Sequence, residues 1–159
     1  MAKVKIKEIA DTMDISPAEM PSFLNREKGE IVSIHEEILA AVDDGDDEAA
    51  EEAVEMYGGA KEDIKTAKEI VAEDGKWTRL PSKEETNDWE IMRDFCYTME
   101  NEPIQNSLFE TINGSGAFKR FREACTRLGV LQKWYDFKDK QYLAFAKQWC
   151  QDNKIEWEE

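Results

Sequence analysis

Four carboxylates stand in two pairs at helical spacing, Glu52 with Glu55 and Glu85 with Asp88. Side chains three apart project from one face of a helix, so two such pairs brought together could hold a divalent cation through oxygen donors. A second set of residues has the opposite sign. Lys119, Arg120, Arg127 and Lys133 lie between Gly114 and Cys150, a block with eight Lys/Arg against three Asp/Glu in a chain of formal charge −15. The block is dense in Phe, Tyr and Trp. Clustered cations beside aromatic rings could bind an anion, an acidic partner or nucleic-acid phosphates. Phe137, off the main apolar stripe of its helix, is a candidate interface residue.

Other chemistry lacks its residues. There is no Gly-rich phosphate loop, Gly-x-Ser-x-Gly elbow or His-Glu-x-x-His. Gly114-Ser115-Gly116 could offer free amides to an anion, but reads better as a helix start. His35, the only histidine, is far in sequence from Cys96, Cys125 and Cys150, so no zinc spacing arises. It lies beside Glu36 and Glu37 and is read as a surface or capping residue. The aspartates around Gly45 would put Ala40 at the first position of an EF-hand, which excludes that loop. No metal site and no cofactor is expected.

These residues are carried mainly by helices. Helical spacing predicts a short helix over 5–13, and Ser16-Pro17-Ala18-Glu19 reads as a capping box. Two β-prone runs, 22–25 and 30–34, flank a loop ending in Gly29 and predict a hairpin. Ser33 and Glu36 suggest a cap for a helix with Ile38, Leu39, Ala41 and Val42 inward. Helices to Tyr57 and over 61–73 follow, with Tyr57 on the inward face of the first. Trp77-Thr78-Arg79-Leu80 could be a third strand. Ser82-Lys83-Glu84-Glu85 reads as a capping box for a helix bearing Trp89, Met92, Cys96 and Met99 on one stripe. Further helices are predicted near 103–112, 116–128 and 131–152. In the last two, Phe118, Phe121, Cys125 and Leu128 form one apolar stripe, and Leu131, Trp134, Tyr135, Tyr142, Phe145, Ala146 and Trp149 another. The fold expected is α+β: a mostly helical single domain, 1–159, with a small N-terminal antiparallel hairpin sheet and a candidate sub-boundary near 74–76.

Composition sets outer limits. The chain has 159 residues, 41% hydrophobic and 36% charged, enough for a sizeable core. No apolar run exceeds five residues (38–42 and 142–146), so no membrane span is expected. The N-terminal stretch is basic without an apolar signal core, so secretion is not expected. An odd number of separated cysteines suits free thiols in a reducing cytoplasm. By sequence Cys96 and Cys125 fall on apolar stripes, whereas Cys150 falls off its stripe and is expected to be the reactive one. The acidic balance repels nucleic acid and anionic membranes at long range.

Gly116-Ala117-Phe118-Lys119-Arg120-Phe121, then Trp134-Tyr135 and Trp149-Cys150, resembles the C-terminal signature of a bacterial family called uncharacterised protein family 0158. Segments around Gly29-Glu30-Ile31-Val32, Leu80-Pro81-Ser82 and Met92-Arg93-Asp94-Phe95 are similar too, so the resemblance spans most of the chain apart from 43–75. That family has no established activity. The resemblance implies a bacterial cytosolic protein and transfers no catalytic residue. The carboxylate pairs resemble the magnesium-holding quartet of all-helical nucleoside triphosphate pyrophosphatases, with a slightly long gap between halves. With 36 acids in 159 residues, roughly eight such pairs arise by chance.

The function expected is therefore a non-enzymatic cytosolic interaction or regulatory protein, with a protein partner or self-association and no membrane. A magnesium-dependent nucleotide hydrolase is the first alternative. A nucleic-acid-associated protein using 114–150 is the second, disfavoured by net charge.

Overall fold

The chain is mostly helical, with two small sheets. In the computed structural model residues 3–159 are described; Met1 and Ala2, the start of the stretch read for a signal core, lie outside them. Two compact units divide it: residues up to Thr86 together with Ala146–Glu159, and Asn87–Phe145. The 74–76 stretch is the turn leading into the fourth strand of the first unit.

In the first unit, α1 (Ile6–Ile15) follows the two-residue strand β1 (Val4–Lys5). It buries Ile6, Ile9, Ala10 and Met13, the stripe its spacing predicts. The hairpin forms as β2 (Ser22–Asn25) and β3 (Ile31–Ser33), antiparallel, with Phe23 opposite Val32. Asn25 shapes its turn. The side-chain oxygen accepts from the amides of Glu27 and Lys28 at 3.0 and 3.1 Å, and Gly29 takes φ 73°, a conformation that costs glycine little.

The sheet is larger than a hairpin. β4 (Trp77–Arg79) pairs with the other edge of β2, giving the order β3-β2-β4, so an N-terminal hairpin alone does not describe it. Arg26 ties the turn down, donating to Thr78 Oγ1 at 3.2 Å and to the Asn153 carbonyl at 2.7 Å. A second sheet was not anticipated: β1 pairs in parallel with β5 (Trp157–Glu158), and Lys5 meets Glu158 at 3.1 Å. Strands of two residues leave no alternating pattern to read.

Three short helices fill the acidic stretch: α2 (Glu36–Asp43), α3 (Asp47–Tyr57) and α4 (Lys61–Val71). Ile34, Ile38, Ala53 and Ala67 form their shared core. Small alanines let α3 and α4 approach closely, so helices with charged outer faces still pack. Asp46 caps α3 by accepting from the Ala49 amide at 3.0 Å, and Gly58 ends it at φ 80°.

The second unit holds α5 (Asp88–Tyr97), α6 (Glu102–Phe109), α7 (Ala117–Arg127) and most of α8 (Leu131–Asp152). Phe95 is its aromatic hub, with ring centres 6.1 Å from Phe121, 5.5 Å from Trp134 and 5.5 Å from Phe137. Edge-on aromatic pairs add to simple burial. The buried Tyr142 donates its hydroxyl to Asp88 at the start of α5.

The capping boxes are where sequence reading failed. Residues 16–20 and 82–86 are turns, not helix starts. Ser16 and Ser22 are buried with their hydroxyl oxygens 2.7 Å apart, and Ser22 is 2.7 Å from that of Ser33 in β3. Ser16, just after α1, thus joins a chain of hydroxyls with Ser22 of β2 and Ser33 of β3. α2 is instead capped by His35, whose Nδ1 accepts from the Glu37 amide at 3.1 Å, and α5 by Asn87. Tyr57 and Trp89, both expected inward, are 43% and 38% exposed. Tyr57 stacks on His35 at 3.8 Å, and the Trp89 indole donates to the Ile112 carbonyl at 2.6 Å.

Candidate functional site

Helix α7 carries the most unusual surface of the molecule. Its inner face buries Ala117, Phe121, Ala124 and Cys125. Phe118 points outward and is 57% exposed, which overturns its place on the predicted stripe. The buried arc centres roughly 35° from the predicted one, on the side of Ala117 and Ala124, at about 100° per residue. Small side chains allow close packing there, and Phe118 falls off the edge.

Arg122 stands beside Phe118, with Lys119 further round and Arg127 at the far end of the helix, all exposed and forming no ion pair among the described residues. Arg122 is the residue sequence reading missed. Its signal was the helical angle, only about 40° from Phe118. Arg120 behaves differently. Its guanidinium donates to the carbonyls of Asn113 and Ser115, closing the Gly114–Gly116 loop. That cation staples its own loop, and Gly116 precedes the helix at φ 76°.

The structure brings Lys133 and Phe137 together on α8. They line one wall of a groove of about 620 Å³ with Asp136 and Lys140; Met99 and Ile104 line it from α5, α6 and their connection. Phe137 is half-buried and tilts 55° against Phe95. One of its faces is core, and the rest opens on the groove. Asp136 accepts from the Gln132 amide at 2.9 Å. Lys133 and Lys140 face Glu100 and Asp136 around the rim, so the groove is electrically balanced, unlike α7.

The four carboxylates have separate surroundings. Glu52 and Glu55 are exposed on α3. Glu85, in a turn, pairs with Arg79 at 3.2 Å. Asp88 accepts from Tyr142. Among the described residues, no group of three or more His, Cys, Asp or Glu is arranged to hold a metal ion.

All three thiols are buried and unpaired as disulfides. Burial pushes Cys96 up to about 11, Cys150 up to about 11, and Cys125 up to about 12 with the neighbouring Cys96 adding to it. Cys150, expected to be the reactive one, is 0% exposed. Its apolar arc is wider than the stripe read from α8, because β5 and the residues before it return over that end of the helix; Ile155, also buried, donates its amide to the Cys150 carbonyl at 2.8 Å.

No described helix is long and apolar enough to cross a membrane. No protein-family model, no curated protein and no solved structure matches the chain.

Proposed function

We propose that this is a non-enzymatic cytosolic interaction protein whose docking face is the outer side of α7. One observation supports the reading most: Phe118 is exposed beside Arg122, on a helix whose outer side also carries Lys119 and Arg127, and these three cations form no ion pair among the described residues of a chain with 36 acids. An exposed ring offers apolar area for burial, and unengaged cations around it select an acidic partner and speed its encounter. The thiols suit a reducing compartment, because none is bridged. The resemblance to uncharacterised protein family 0158 supports a bacterial source and adds no activity.

The test is affinity purification from the native cell at low and moderate salt, comparing the wild type with a Phe118→Ser/Arg122→Glu variant. The reading expects an acidic partner, reduced by salt and lost in the variant. Recovery of the same proteins by both, at either salt, would refute it.

A further inference from the structure

Helices α3 and α7 are each eleven residues long, and their outer faces are complementary. On α3 the outward arc carries Glu51, Glu55, Glu48 and Glu52, then Met56, which is 75% exposed. Those four glutamates form no ion pair among the described residues; the remaining acid of the arc, Asp47, meets Lys68 at 3.5 Å. On α7 the outward arc carries Phe118, Arg122, Lys119 and Arg127, with Glu123 between the last two.

We infer that the acidic partner of α7 is α3 of a second copy of this chain, laid antiparallel. The inference rests on the docking face proposed above and names its partner. Antiparallel alignment at equal helical height sets two matches at once, at about 100° per residue. Glu52 faces Arg122, and one turn away Met56 and Phe118 meet across the seam. A thioether against a ring edge is a favourable contact. The pairing also lays the positive N-terminal end of α7 beside the negative C-terminal end of α3. Glu51 and Glu123, level with each other, point to opposite flanks of that contact. The two faces differ, so the contact is heterologous: it closes a dimer if two contacts form about a two-fold axis and otherwise extends head to tail.

Sedimentation of the full chain, from micromolar to submillimolar concentration at physiological salt, tests it with a charge swap. The wild type is expected to self-associate with rising concentration. Arg122→Glu and Glu52→Arg should each weaken association about tenfold or more, and the two together should restore it to within about threefold. Both positions are exposed, and circular dichroism checks that each variant is folded. A wild type monomeric throughout, singles that associate normally, or a double variant without recovery would each overturn the pairing. A monomeric wild type whose cellular partner is still lost on Phe118→Ser/Arg122→Glu would refute the self-pairing alone; loss of both effects would refute the docking face too.

Discussion

Two phenylalanines three residues apart on α7 give a sharp test of which way the helix faces. Phe121 is 1% exposed, and its ring lies 4.9 Å from Trp134 and 6.1 Å from Phe95, both edge-on. Phe121→Ala removes the buried ring, breaks both aromatic pairs and leaves a cavity, costing about 3–5 kcal/mol. Phe118 is 57% exposed, and Phe118→Ser should change stability by no more than about 0.5 kcal/mol. For a chain of 159 residues the first substitution lowers the melting temperature by about 6–20 °C, the second by only about 1–2 °C. Urea unfolding followed by tryptophan fluorescence suits the measurement, since Trp134 touches the perturbed ring. A Phe118→Ser cost as large as that of Phe121→Ala would show that the outer face of α7 is core, and the docking face would fall with it.

Two further outcomes are expected. Native thiols should label slowly at pH 8, with Cys150 as protected as Cys96, because all three are buried and protonated there; rapid modification of one equivalent would contradict the packing of that end of α8. The same raised thiols bind protons in the folded state that the unfolded chain gives up near pH 9, so their stabilisation is full below pH 9 and drains as pH climbs towards 11–12; alkaline melts should show a decline that Cys125→Ala reduces. Tyr142→Phe removes the hydroxyl donated to Asp88 and should cost about 1.5–3 kcal/mol, the range for a hydrogen bond to a charged group, measured by the same urea unfolding.

Helix existence was legible because most helices carry their own apolar stripe and breakers. α8 matches its predicted bounds, and α3 shows its aspartate cap and glycine stop in the sequence. Helix starts were less legible. Ser16, Ser33 and Ser82 all fit a capping template, yet Ser16 and Ser33 bond through Ser22 instead. A four-residue motif cannot report a partner from another strand. The β1–β5 pair is non-local in the same way, joining residues 4–5 to 157–158. For the candidate site, the basic character of 114–150 was plain, but its distribution was not. Arg120 closes its own loop, Lys133 joins Phe137 on a balanced groove, and Phe118 turns outward because Ala117 and Ala124 take the inner arc.

Unpaired cations alone argue little for a docking face. An exposed ion pair contributes about 0–1 kcal/mol, so a solvated lysine or arginine without a partner loses almost nothing. The weight falls on what stands beside them. An aromatic ring in water forgoes roughly 25 cal/mol for each Å² it could bury, and Phe118 forgoes more than half of its burial while Phe121, one turn on, is covered completely. Met56 on α3 forgoes still more. Each of these apolar side chains sits at one end of a charged face on a helix of eleven residues, acidic on α3 and mainly basic on α7, where Glu123 interrupts the cations, and the two ends meet when the helices run antiparallel. In the proposed contact charge would set which faces meet, while burial of the ring and the thioether would supply the free energy that holds them. That division of labour is the one expected of a specific contact, since screening weakens the charges at physiological salt and leaves the apolar term intact.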